Sequence, residues 1–228
     1  MSGSALWYLT RGTGVVTLVL LTISVALGVA NVRRAHTARW PRFVFDALHR
    51  NASLLALAFL AVHVATSVVD TYTPIRLIDA VIPFASAYRP VWLGLGAVAL
   101  DLLIAVALTS VLRRQFGHRA WRATHWLAYA CWPVALVHGL GTGSDVQSSW
   151  MLTLTAACVL VVLVAIWVRA AGSGADRAGV RLGAVVASVA AVAALTVWLS
   201  TGPLHAGWAK SAGTPSSLLR ASTVAGQR

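Results

Sequence analysis

Of the 228 residues, 58% are apolar and only 11% are charged, and the mean hydropathy is +0.77. A soluble domain averages roughly 45–50% apolar and about 25% charged, so this composition excludes one. It also excludes intrinsic disorder, which needs low hydrophobicity, and a disulfide scaffold, because Cys131 and Cys158 are the whole cysteine complement and both sit in apolar runs. Eighteen Lys and Arg against six Asp, with no Glu, give a net charge of +12. The arginines fall in short clusters between apolar runs, the pattern of membrane-protein loops, so no nucleic-acid partner is expected.

Apolar stretches of the ~20 residues that a membrane helix needs occur six times, at roughly 14–32, 46–69, 91–112, 122–140, 149–168 and 182–201. The second and fourth are entered by amphipathic stretches, so their helices are expected to begin a turn or two earlier. No run shows the strict alternation of a membrane β-barrel. The first is read as a retained helix and not a signal peptide, because it has one preceding arginine and a cluster of arginines directly after it. The prediction is an all-α, integral membrane six-helix bundle in a lipid bilayer, multi-pass in the plasma membrane. Residues 1–202 form the six-span domain, and 203–228 form a short disordered outer tail rich in Ser, Ala, Gly and Thr.

Twelve arginines lie in one set of loops, among them Arg33, Arg34, Arg39, Arg42, Arg113, Arg114 and Arg177, against six basic residues on the other side. The positive-inside rule makes the first set cytoplasmic and puts both termini on the outer side. Trp40, Trp121, Trp126 and Trp167 then fall at inner ends, and Trp7, Trp92, Trp150 and Trp198 at outer ends. The one long outer loop, 70–90, holds Pro74, Pro83 and the apolar Ile75–Phe84, and is expected to form an interfacial helix.

Four of the seven histidines lie in two spans that run in the same direction. His49 and His63 are 14 residues apart on the second, and His125 and His138 are 13 apart on the fourth. At 1.5 Å per residue these separations are ~21 and ~20 Å, so His49 and His125 share an inner depth and His63 and His138 an outer one. An imidazole inside a bilayer is costly unless paired or ligated. Two depth-matched pairs on parallel helices are what bis-histidine ligation of two haems requires, with neutral imidazoles as axial ligands to the metal. Hydrogen bonding between helices is the plainer alternative. Fourteen residues return to within about 40° of the starting face, but thirteen end about 140° away on an ideal helix. A local distortion at Trp132–Pro133 is therefore expected to re-aim His138. His36 and His118 fall in arginine-rich inner loops and His205 in the outer tail.

The stretches HRNASLLALAFLAVHV (49–64) and HWLAYACWPVALVHG (125–139) resemble the ferric reductase-like transmembrane domain. That family includes the membrane cores of ferric reductases and NADPH oxidases and the haem subunit of a bacterial periplasmic methionine sulfoxide reductase system. The resemblance covers the six-span region and includes the one-residue asymmetry of the histidine spacing. It implies two haem b groups, the inner held by His49 and His125 and the outer by His63 and His138. Full-length ferric reductases and NADPH oxidases carry a cytoplasmic FAD and NADPH domain; here only a short tail follows the sixth span. The Gly-rich RGTG (11–14) and GLGTG (139–143) do not read as dinucleotide sites. The expected electron donor is a separate flavoprotein reductase or quinol.

Haem propionates need cationic partners at the membrane edge. Arg50 and Arg122 are inner candidates and Arg89 an outer one, with topology-setting as the alternative for each. Asp101, mid-span in the third apolar run, costs at least ~2.5–3.5 kcal/mol there; it reads as a proton relay or as a buried interhelical hydrogen-bonding residue. The function expected from all this is a transmembrane cytochrome b. It passes electrons from the cytoplasmic side to an outer acceptor, which is ferric iron, oxygen or a partner reductase. The alternatives are an electron-delivery haem subunit docked to an outer redox partner, with no substrate of its own, and a haem-free proton-linked transporter or sensor.

Overall fold

A computed structural model describes residues 3–33, 41–171 and 178–225. His36, Arg34, Arg39, Trp40 and Arg177 lie outside the described residues. The described chain is all-α: α1 Gly3–Val32, α2 Arg42–Val69, α3 Leu77–Val81, α4 Pro90–Val111, α5 Arg113–His125, α6 Leu127–Thr142, α7 Ser149–Ala171, α8 Ala178–Thr201, α9 Trp208–Ser211 and α10 Ser216–Ala225. Five helices, α1, α2, α4, α7 and α8, are long and apolar enough to cross a membrane, and the protein is a multi-pass membrane protein. As expected, α2 starts a turn before its apolar part, at Arg42.

The fourth expected span takes another form. It is divided between α5, which carries Arg113, Arg114, Arg119 and Arg122, and the 16-residue α6. At 1.5 Å per residue α6 covers ~24 Å of a ~30 Å hydrocarbon layer. The distortion expected at Trp132–Pro133 lies elsewhere: α6 is continuous through Pro133, and the break is at Trp126. There the backbone tightens to three-residue bonds, Trp126 N–H to the Ala123 carbonyl (3.3 Å) and Tyr129 N–H to the Trp126 carbonyl (3.0 Å). A 3₁₀ turn advances ~120° per residue instead of ~100°, which rotates His138 toward the face that His125 occupies.

The chain divides into two compact units, one of residues 1–15, 60–144 and 206–228, the other of 16–59 and 145–205. In the first, α4 packs mainly on α6 and also touches α3 and α5. Small residues permit the close approach. Ala97 and Ala99 are buried, the Cys131 thiol donates to the Ala99 carbonyl (3.4 Å), and a Cβ on Gly141 would lie 2.5 Å from the Trp92 ring. In the second unit, α7 buries Met151, Thr155, Cys158, Val162 and Ala165, a 3–4 spacing that makes one helical stripe. The Trp167 indole N–H donates to Ser188 Oγ on α8 (3.0 Å).

Asp101 is exposed, on one stripe of α4 with Ile104, Leu108 and Val111; the buried interhelical bond expected for it is not formed among the described residues. In the loop before α4, α3 turns Leu77, Ile78 and Val81 outward and buries Asp79 (2% exposed), a geometry suited to an interface of lipid and water. Burial alone would raise the Asp79 carboxyl. The Arg76 backbone N–H (2.9 Å), its guanidinium (3.1 Å) and its charge outweigh burial and hold the group below the usual carboxylate range.

Within the tail expected to be disordered, the described residues include α9 and α10. Trp208 lies against Trp92 (ring centroids 5.0 Å) and donates to the Gly141 carbonyl (3.2 Å). Buried Arg89 donates from Nη1 to the Gly141 and Thr142 carbonyls (3.0 and 3.1 Å) and from Nε to Thr214 Oγ1 (2.9 Å). These bonds satisfy carbonyls that the end of α6 leaves open. The composition of the tail misled because one tryptophan supplies its anchor.

Two outcomes follow. Asp79 stabilises its loop fully above pH ~4, the unfolded carboxylate value, and that contribution fades as pH falls through its lower folded value. Protection factors for amides 76–82 should be level from pH 8 to 5 and drop below pH 4, and Asp79→Asn should abolish the drop. Trp208→Ala removes an aromatic pair and a hydrogen bond together worth ~1.5 kcal/mol, so limited proteolysis of residues 206–220 should speed about tenfold.

Candidate functional site

Three of the four intramembrane histidines sit in the same kind of seat. The His63 Nδ1 lies 2.8 Å from the Thr10 carbonyl on α1, and a Cβ on Gly14 would come 3.0 Å from the His63 ring. The His49 Nδ1 lies 2.9 Å from the Ser24 carbonyl, also on α1, and a Cβ on Gly28 would come 3.4 Å from its ring. The His138 Nδ1 lies 2.8 Å from the Trp92 carbonyl on α4, and a Cβ on Gly96 would come 2.5 Å from its ring. In each case the glycine follows the accepting residue by four positions. It is the residue whose own N–H bonds that carbonyl in a regular helix, and its lack of a side chain lets the imidazole reach the second lone pair.

A carbonyl only accepts, so Nδ1 carries the proton and Nε2 of the neutral ring presents its lone pair. His49 is further framed by Ser24 Oγ (3.4 Å from Nδ1), which bonds Ser53 Oγ (2.7 Å), while Ser53 donates to the His49 carbonyl (2.8 Å). Thr10 Oγ1, on the residue that seats His63, is buried with no partner among the described residues.

His63 and His138 are brought together: their ring centroids are 6.4 Å apart with planes at 82°. The two i−3 bonds around Trp126 turn the chain in the direction that the 13-residue spacing demands. His49 belongs to the second unit and His125 to the first. His125 stacks on Trp121 (5.2 Å, 28°), and Trp121 also meets the exposed His118 (5.2 Å). Arg50 and Arg122 are exposed, whereas Arg89 holds the end of α6 and the tail. No group of three His, Cys, Asp or Glu able to hold a metal by themselves occurs among the described residues.

The glycine seats were missed from sequence alone. Their signal is the recurrence of Gly14 and Gly28, 14 apart like the histidines they face, which is readable only once α1 is known to lie beside α2.

Comparison with known proteins gives one finding. The family model described as ferric reductase like transmembrane component matches residues 13–136, more than half the chain. The match includes His49, His63 and His125 and stops two residues before His138. No curated protein and no solved structure matches the chain.

The seats predict a graded series. Overpacking a close contact costs ~1–3 kcal/mol, so Gly96→Ala should lower the detergent-unfolding midpoint most, Gly14→Ala less and Gly28→Ala least. Gly12→Ala, with nothing within 4 Å, should leave it unchanged or raise it slightly through helix propensity.

Proposed function

The chain belongs to the ferric reductase like transmembrane component family, and from that membership and the paired imidazoles we propose that it is a transmembrane b-type cytochrome carrying electrons between the two faces of the plasma membrane. Ferric reductase-like transmembrane domains generally bind haem. His63 and His138 are the ligands of one haem, and His49 and His125 those of the other.

The observation that carries this reading is the His63–His138 geometry. Their ring centroids stand 6.4 Å apart, and imidazoles so placed could hold one iron between them. Their protonated Nδ1 atoms are anchored on backbone carbonyls of different helices, which leaves both Nε2 atoms for the metal. A ligating histidine ordinarily donates its other N–H in this way, which sets its tautomer and its basicity. Two protein ligands suffice for a macrocycle that supplies four nitrogens, and the partnerless Thr10 hydroxyl is a donor available to a polar group of the cofactor. The residues present therefore fit the group.

Bound haem supplies reversible one-electron iron chemistry. The chain's own residues do the rest. The four imidazoles would hold the irons. The apolar faces of the helices keep water from them, and the Nδ1–H bonds to Thr10, Ser24 and Trp92 prevent ring rotation. Arg50 and Arg122 are the proposed inner propionate partners and Arg89, which also secures α6, the proposed outer one. Six spans with both termini outside, a flavoprotein reductase or quinol as donor, and ferric iron, oxygen or a partner reductase as acceptor complete the proposal.

Purified protein should give low-spin b-type bands in a reduced-minus-oxidised spectrum, with two haems per chain by pyridine haemochrome. His63→Ala and His138→Ala should each remove one haem and retain the other. A colourless protein, or variants that keep both haems, would overturn the reading.

A further inference from the structure

The loop between α2 and α4 buries two aspartates, and their oxygens are served unequally. Asp79 is closed: Oδ2 accepts the Arg76 backbone N–H (2.9 Å) and Oδ1 its guanidinium (3.1 Å). Asp70, just past the end of α2, is 6% exposed. Its Oδ1 accepts the Tyr72 backbone N–H (3.1 Å), and its Oδ2 has no hydrogen-bond or ion-pair partner among the described residues. A carboxylate buried this far is costly until a donor meets it.

Asp70 lines a cavity of about 630 Å³ that opens to the surface. Val68, Pro74, Ile75 and Ala87 supply apolar wall. Ser86 is the second buried polar group there; its Oγ accepts the Tyr88 N–H (3.1 Å) and keeps another lone pair. Arg76 also lines the cavity, with its side chain 71% exposed while it pairs with Asp79.

Donor chemistry narrows the occupant. A metal ion would need more ligands than one carboxylate, and no group of three His, Cys, Asp or Glu occurs among the described residues. A quaternary ammonium is held by aromatic faces, and the described lining has none. A primary ammonium brings three N–H donors and no acceptor, which suits Asp70 Oδ2 and Ser86 Oγ. The Arg76 guanidinium suits a phosphate beside it. The cavity stands where a membrane-spanning helix ends, and the adjoining α3 exposes Leu77, Ile78 and Val81, a surface for acyl chains.

We propose that this cavity binds the headgroup of a phospholipid with a primary ammonium, phosphatidylethanolamine in kind, its ammonium on Asp70 and Ser86 and its phosphate on Arg76. The bound lipid supplies the donor that Asp70 lacks and fastens the end of α2 to the loop before α4. The site contains none of the four intramembrane histidines, and the proposal stands apart from the haem reading.

The test gives the full-length protein in detergent an equimolar mixture of dioleoylphosphatidylethanolamine and dioleoylphosphatidylcholine, which differ in the methyl groups on nitrogen. Native mass spectrometry should show one lipid retained per chain, with the primary ammonium preferred about tenfold, the value of one hydrogen bond to a charged group. The preferred lipid alone should raise the unfolding midpoint. Asp70→Asn keeps an acceptor for Tyr72 and should abolish the preference, whereas Asp101→Asn should keep it. Ala87→Leu, at an exposed position of the wall, should block retention, and it decides the matter if Asp70→Asn fails to accumulate. Equal retention of the two lipids, an undiminished preference in Asp70→Asn or Ala87→Leu, or loss of it in Asp101→Asn would overturn the proposal. Displacement by free phosphoethanolamine at the same concentration as the lipid would also overturn it, in favour of a soluble zwitterion.

Discussion

A helix carbonyl that already accepts its own i+4 N–H retains a second lone pair, and the organisation of this protein depends on who reaches it. Inside a bilayer an imidazole N–H without an acceptor carries its full desolvation cost. The neighbouring helix offers carbonyls, but an ordinary side chain at i+4 would hold the ring away. Gly14, Gly28 and Gly96 remove that obstacle at Thr10, Ser24 and Trp92. The same bond that makes each histidine tolerable in hydrocarbon selects its tautomer and turns the opposite nitrogen outward. Solubility in the membrane and the choice of tautomer thus come from one contact.

Several hydroxyls in the apolar segments obey the same accounting. The hydroxyls of Thr13, Thr22, Thr66 and Thr109 donate back to carbonyls three or four residues earlier, so they add no unsatisfied donor within their helices. Arg89 satisfies the open carbonyls at the end of α6 from the residue just before α4. Because His138 is on α6 and its acceptor Trp92 is on α4, this arginine braces both halves of the outer seat. Its left-handed backbone (φ 42°) is a strained conformation for a residue with a side chain. The bonds from its guanidinium, and from its own N–H to the Gly213 carbonyl (3.1 Å), over-determine it.

The fourth expected span shows where reading by composition stops. Hydropathy registers the apolar run after Trp126 but is blind to the two tightened turns around it. The proline was the visible irregularity in the sequence, yet it removes only one N–H and α6 absorbs it. The turn at Trp126 consists of ordinary residues, and it lies between two helices, α5 and α6, that both pack on α4. The tail shows a parallel limit. Its small polar residues suggest disorder, but Trp208 finds a tryptophan face and a free carbonyl that exist only once α4 and α6 are assembled.

By itself the sequence determined the solvent and the class, and placed four histidines where a polar group needs a partner. Apolar runs of bilayer length require helices, since no other unbroken segment satisfies its backbone in hydrocarbon, and four histidines spaced 14 and 13 apart are too costly there to be incidental. Periodicity along one helix determines these features, and a single chain displays it. Tertiary structure alone decided that His63 meets His138 and which nitrogen His49, His63 and His138 each present. Those are relations between helices, and they depend on rotation about each axis and on the distance of approach. Both are decided by side-chain volume on the facing helix, a quantity that has meaning only after the helices are paired.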